Sequence, residues 1–531
     1  MIYEFLTPNN IWRDFDADSV DLESTEVRSF VEDGALTTCY YFTATNTTDG
    51  KVRCFVRVMR PTHGRSFPTI LVAEGAQSSF PERYLPFVKE GYAVAIFDYA
   101  GRAEGKTYFT HYPDSLSYAN FATAGKALIA AEPSAKHTSW VVWTTIARRV
   151  ITFLTSLDYV DNNKIGMLGA DEGANVVWQT VGTDDRIAAC CTLFGWSREK
   201  ASDDAEEQEC WEAGIEPQSY MPSVRVPVMV AGGSNAPSTE FTKTGKLANL
   251  PKTTPLYHAV SVGLNTNMYD ADVRAIHGFF AHTLCSARFP SAPQVSLTTA
   301  DNGEITATVT AEGANLVELY FAVGENQQFL SFRRAAVNKT DDCSYVAELG
   351  ALTGGMLFVL AKADFGAFTL TATPCSVALP NKKGGQKGNH VVYTSAMGTD
   401  SAIPVGSVPV FDSPLSVETG VGGIKGITST TGGLALWVAD ITPTNTSVLS
   451  FSTSCKAPRT MTVKLVFSEG GKPVVYYCEV DVVPGKLWQR HLISLRDFKS
   501  DSLSSPDGFS GVKRVEFIFG SAVIINNVLW I

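Results

Sequence analysis

At 531 residues the chain exceeds what one hydrophobic core holds, and its length divides it into roughly two to four domains. Apolar residues make up 45% and charged residues 18%, an ordinary balance for a globular chain. The formal net charge of −11 comes without any long basic run, which excludes the clustered Lys and Arg that nucleic acid or an anionic membrane surface would need.

The opening MIYEFLTPNNIWRDFDADSV has no basic n-region, no apolar h-region and no small-residue cleavage site. The sequence therefore reads as cytoplasmic as given, or secreted if its N-terminus is trimmed. No apolar run reaches the ~20 residues that a bilayer-spanning helix needs. The first half then alternates strand-like and helix-like segments. FPTILVAEG and GYAVAIFDYAG are short apolar runs, each ended by a glycine. Trp140 to Leu157 has apolar residues at helical spacing and follows a Thr-Ser pair that would cap it. KIGMLGADEGANVVWQTVG reads as strand, Gly-rich turn and helix; RIAACCTLFGW and VPVMVAGGS are buried strands; TPLYHAVSVG and ADVRAIHGFFAHTL close the series as strand and helix. This alternation predicts an α/β unit over residues 1–287, with a mostly parallel sheet covered on both faces.

After Pro290 apolar and polar residues alternate between turn signals, which predicts an Ig-like β-sandwich over 288–383. NKKGGQKGN reads as a linker or exposed loop. From there to Ile531 evenly spaced strands predict a second all-β unit, a jelly roll over 384–531. The ten cysteines include no CxxC pair and no His at zinc-ligand spacing, so neither a metal nor a cofactor is expected. Cys190 and Cys191 read as buried reduced thiols, which implies a reducing compartment.

The informative segment is Gly169-Ala170-Asp171-Glu172-Gly173, between a strand and a helix. A nucleophile elbow has the pattern G-x-S-x-G in that context, its small residues permitting the tight turn that lifts one side chain above the sheet. Here the central residue is Asp171. Together with FPTILVAEGAQ, GYAVAIFDYAGRAEGKTYFTHYP, VPVMVAGGS and VGLNTNMYDADV, the segment resembles α/β-hydrolases of the acetyl xylan esterase and dienelactone hydrolase type, over most of residues 1–287. The resemblance implies a Ser nucleophile, an acid after VPVMVAGGS, a His after the last strand and oxyanion donors after FPTILVA. In this sequence those positions fall on Asp171, Asn235, Met268 and the stretch Glu74-Gly75-Ala76, with Glu172 following the nucleophile position. Ser–His–Asp catalysis needs an imidazole to shuttle the proton and a carboxylate to fix its tautomer. Met268 does not titrate, and Asn235 carries no charge.

Three readings of Asp171 follow. The favoured one is an esterase-like chain that has lost serine-hydrolase chemistry and binds a carbohydrate or other ligand, or scaffolds a partner; Asp171 would then sit comfortably as a helix N-cap, favoured by the dipole. The second is an active hydrolase with Asp171 as nucleophile, as in haloalkane dehalogenases and epoxide hydrolases, which needs a base from among His63, His111, His137, His258, His277, His282, His390 and His491. The third gathers Asp171, Glu172, Glu74, Asp98 and Glu104 around a hard cation, against a plain solvated acidic rim. An Arg102–carboxylate pair is expected to order the loop after Asp98. Trp140, Trp143, Trp178, Trp196 and Trp211 read as core residues before sugar platforms. Residues 405–531 resemble galactose-binding-like jelly rolls in GKLWQRHLISLRDFKS and the closing IINNVLW, where Asn526 stands in place of a common Asp.

Overall fold

The computed structural model describes all residues except 1–2, 78–79, 104–105, 196–203, 237–243, 265–266, 302, 325–329, 331, 353–355, 380–389, 400–401, 406–413, 439–446, 470–471, 510 and 521. The expected linker NKKGGQKGN, Trp196 and Glu104 lie outside the described residues.

The first unit is built on nine strands: β1 (Thr25–Glu32), β2 (Ala35–Asn46), β3 (Lys51–Pro61), β4 (Phe67–Ala73), β5 (Ala93–Phe97), β6 (Val160–Ala170), β7 (Ala189–Leu193), β8 (Val228–Gly233) and β9 (Leu256–Ser261). Their spatial order is β1-β2-β3-β5-β4-β6-β7-β8-β9. The first three form an antiparallel meander, β3 meets β5 antiparallel, and every later pair is parallel. This is the α/β-hydrolase arrangement. Side chains alternate between two buried faces, as period 2 demands. Ile70 and Val72 enter one core with Phe279 and Phe280, whereas Leu71 and Ala73 enter the other with Trp140, Val177 and Trp178.

Among the helices on those faces are α1 (Ser139–Thr155), α2 (Glu172–Val181) and α3 (Asp270–Cys285). The Thr138 hydroxyl accepts from the Val141 amide and caps α1. Trp140, Trp143, Trp178 and Trp211 are fully buried, and the indoles of Trp140 and Trp143 donate to the carbonyls of Leu128 and Ala119 at 3.0 and 2.7 Å. These four rings are core and present no stacking face to a sugar.

The sheet does not stop at β9. The next nine strands are β10 (Gln294–Thr299), β11 (Glu304–Thr310), β12 (Leu316–Gly324), β13 (Arg333–Ala335), β14 (Asn338–Lys339), β15 (Ser344–Ala351), β16 (Met356–Asp364), β17 (Thr369–Thr371) and β18 (Cys375–Ala378). β10, β11, β15 and β14 make a separate four-stranded sheet, but β17-β16-β12-β13 continue outward from β9, giving a 14-stranded sheet that runs through two units. Thr371 pairs with His258 at the joint, and its hydroxyl accepts from the Val260 amide at 3.0 Å. Residues 390–531 form a sandwich of a six-stranded and a five-stranded antiparallel sheet around its own core, in which Phe451, Phe517, Ile525 and Trp530 are buried. Within it Asn526 is committed internally: its amide oxygen accepts from the amides of Ser395 and Asn527, and its amide nitrogen donates to the Lys425 carbonyl.

Candidate functional site

The chain turns from β6 into α2 through Asp171, whose φ of 51° and ψ of −117° place a non-glycine residue in the strained left-handed region. Such a conformation costs of order 1–3 kcal/mol and survives only where its surroundings enforce it. They do so here. The Asp171 amide donates to the Leu193 carbonyl on β7 at 3.1 Å, tying the turn to the next strand. A Cβ on Gly173 would lie 1.9 Å from the Ala73 carbonyl oxygen, and one on Gly169 would lie 2.4 Å from the Gly173 oxygen. Both glycines are there because α2 lies directly against β4 and β6.

The expectation that Asp171 would cap α2 comfortably is not met. Its side chain makes no capping hydrogen bond, and burial followed by the like charge of Glu172 pushes its carboxyl above the ordinary carboxylate range. At φ 51° the side chain is lifted away from the first-turn amides, so the dipole does not prevail over desolvation.

Of the oxyanion donors expected at Gly75, Ala76 and Glu172, the first two lie in the facing loop after β4 and Glu172 opens α2. The Ala76 amide donates to Glu172 Oε2 at 3.1 Å. In an α/β-hydrolase the amide from the loop after this strand joins the amide following the nucleophile to hold the developing oxyanion. In this chain a carboxylate already accepts from it. Glu74, where a His would stand, is buried; its carboxylate accepts from the Phe80 amide at 3.1 Å and its carbonyl accepts from the Tyr99 hydroxyl. Burial raises the Glu74 carboxyl. The Tyr99 phenol is held far above its usual range by burial first and then by Glu172, Asp98, Asp171 and Glu74. The acidic residues therefore gather around Tyr99. Among the described residues no three His, Cys, Asp or Glu side chains converge as metal ligands.

Asn235 follows β8 and is buried. Its amide nitrogen donates to the Leu330 carbonyl at 2.7 Å, its amide oxygen accepts from the Ser234 hydroxyl at 2.7 Å, and its backbone amide donates to Leu264. The same Leu330 carbonyl accepts from Arg490 Nη1 at 2.9 Å. One carbonyl thus joins all three units. Met268 packs as a half-buried side chain on the apolar cluster of Ile70, Met229 and Ile276. Just beyond it, buried Asp272 accepts from the Ser261 hydroxyl at 2.7 Å, from Thr369 Oγ1 and from Lys362 Nζ at 2.7 Å, linking α3 to β16 and to the segment that pairs with β9.

Six imidazoles have partners of their own, His63 is exposed, and the side chain of His390 lies outside the described residues. His258 lies buried within β9, where desolvation lowers it to about 3. His277 stacks on Phe87 at 3.8 Å and meets Glu90 at 2.8 Å. His137 meets Ser134, His282 meets the Ala287 carbonyl, His111 lies against Tyr41 and Phe109, and His491 meets Thr453. The loop after β5 also departs from expectation. Asp98 pairs with Lys106 at 2.8 Å and accepts from the amides of Gly101 and Thr110, while Arg102 presents its backbone amide to Asn120. Lys106 prevails because the Gly101 turn carries Arg102 toward solvent. Sequence reasoning missed the Glu172–Ala76 contact, although a carboxylate beside the elbow was its visible signal. It also missed Arg28 and Arg57, because the meander carrying them was not assigned.

Sheet order and elbow together define the N-terminal half as a unit of α/β-hydrolase fold. No protein-family model and no curated protein matches the sequence. Among solved structures the chain is similar to acetyl xylan esterase 1 from Thermoanaerobacterium sp. JW/SL YS485, with a TM-score of 0.42 and 12% identity over 53% of this chain and 95% of that one. An acetyl xylan esterase from Paenibacillus sp. R4 follows at 0.40 and 14% identity, over 53% and 97% of the two chains. A glucuronoyl esterase from Solibacter usitatus gives 0.36 and 10% identity, over 51% and 88%.

Proposed function

We propose that the α/β-hydrolase unit has lost serine-type ester hydrolysis and binds a small ligand at its cleft without turning it over. The observation that carries this reading is the Glu172 carboxylate accepting from the Ala76 amide at 3.1 Å. A tetrahedral intermediate forming there would meet a fixed negative charge where its own negative charge develops, which raises the barrier that an oxyanion hole exists to lower. Asp171 adds a second carboxylate, and the charge acting on it is of the same sign. Attack by Asp171 on carbon would give an ester whose hydrolysis needs a general base within hydrogen-bond reach or one water away. Each described imidazole has a hydrogen-bond or ring partner other than Asp171, except exposed His63.

The test is hydrolysis of aryl acetates, acetylated xylan and epoxides by the wild type beside Asp171→Ala and Asp171→Ser. All three proteins are expected at the buffer rate. The serine variant gains nothing, because neither an imidazole nor a free Ala76 amide is supplied with it. Turnover by the wild type that disappears in Asp171→Ala would overturn the reading and make Asp171 a nucleophile.

A further inference from the structure

Beside the elbow lies a cavity of about 410 Å³, within the size range of small-molecule sites, lined by Gly75 and Ala76 on one side and by Arg28, Arg57 and Lys106 on another. In the sheet register Arg28 on β1 and Arg57 on β3 both pair with Cys39 on β2, and Arg57 also pairs with Ile96 on β5. Residues directly opposite one another point to the same face. Two arginines therefore stand on one face across a single small buried thiol, roughly 10 Å apart along two strand spacings.

Their charges are not used within the fold. Lys106 is paired with Asp98, and Glu74 is satisfied by Phe80 and Tyr84. Arg28 and Arg57 form no ion pair among the described residues; Arg28 lies over the Phe30 ring at 4.2 Å, and Arg57 Nε is buried without a hydrogen-bond partner. Glu32, Asp33 and Glu82 line the adjoining notch without reaching either guanidinium. A buried guanidinium nitrogen left unbonded costs free energy that an anion would return. In a chain of net charge −11 this is a local excess of positive charge at a cleft. The remaining wall is aromatic: Phe55 and Tyr108 are stacked with ring centroids 5.3 Å apart and line the same space.

We infer that this cavity binds a small ring-bearing monocarboxylate, its carboxylate between Arg57 and Arg28 and its ring against Phe55 and Tyr108. A monoanion fits better than a phosphate dianion because Glu74 and Asp98 line the same cavity beside the three cations. The inference rests on the reading that the cleft binds rather than hydrolyses, and it names the ligand's class.

Calorimetric titration of the full chain with D-glucuronate and with benzoate tests it, D-glucose and benzamide serving as neutral counterparts and inorganic phosphate as the bare anion. At least one carboxylate is expected to bind, at least tenfold more tightly than its neutral counterpart and more weakly as salt is raised. Arg57→Leu is expected to weaken that binding at least tenfold, Arg57→Lys less. Arg28→Ala, at an exposed position on the edge strand, should weaken it severalfold. The proposal is overturned if neither carboxylate binds, if the neutral counterpart binds equally, if the arginine variants bind like the wild type, or if phosphate alone binds. Because binding is read without turnover, ester hydrolysis would sink the functional reading and leave this measurement standing, whereas absent binding with absent hydrolysis would sink this proposal alone.

Discussion

Two groups of loops crown the same sheet, and they differ in what holds them. The turn after β6 is fixed against the end of β4 by close contact of backbone with backbone: Gly173 has no room for a methyl group beside Ala73, and Asp171 is kept at φ 51°. The loops after β8 and β9 are fixed by side chains that reach into the neighbouring units, Asn235 to Leu330 and Asp272 to Lys362 and Thr369. An elbow therefore persists for packing reasons whether or not its central residue reacts. Loops whose positions carry no acid and no imidazole are taken up as joints between units.

The sharpest way to break this comparison is Gly173→Ala. A Cβ 1.9 Å from a backbone carbonyl cannot be relieved by a side-chain rotation, so α2 must leave β4. The expected loss is about 4 kcal/mol or more, at the upper end of overpacking effects, read as insoluble expression or a collapsed denaturation midpoint. A variant as stable as wild type would show that packing does not fix the elbow. Next comes Asn235→Asp, which would restore an acid at this position but remove the donor to Leu330. It is expected to cost about 2–3 kcal/mol through a charge buried against the Leu330 carbonyl, whose remaining partner is Arg490, and to make the segment around Leu330 an early site of limited proteolysis. An unchanged proteolysis pattern would mean the joint lies elsewhere.

The smallest effect is expected from Asp171→Asn. The folded-state carboxyl of Asp171 lies above its unfolded value, so the unfolded chain releases its proton first as pH rises. Stability is full below the usual aspartate range near pH ~4 and falls through the folded value. Asp171→Asn should therefore melt slightly higher than wild type at pH 7 and equally at pH 3. A lower melting temperature at pH 7 would show that the helix terminus favours the charge after all.

The α/β order of the first unit was legible because each strand is a short apolar run ended by a turn residue, and because the elbow glycines sit at fixed spacing. The meander β1–β3 was not, since Thr25–Glu32 is almost wholly exposed and carries little apolar pattern. With it the register that sets Arg28 opposite Arg57 went unread. At the site, the absence of Ser, Asp and His at the matched positions could be read from residue identity. That Glu172 reaches the Ala76 amide, and that Asn235 reaches Leu330, could not: these contacts join residues 96 and 95 positions apart, and only the folded backbone brings them together.

The single sheet running from β9 into β17 has a practical consequence. A fragment ending near residue 287 would look like a complete hydrolase unit by its helices and its elbow. It would nevertheless leave β9 as an open edge, with the apolar strand Leu256–Ser261 offering unpaired amides and carbonyls to any other chain. Lys362 and Thr369 would be absent, leaving Asp272 buried without its cation. Such a fragment is suited to self-association, so any dissection of this protein should keep the second unit joined to the first.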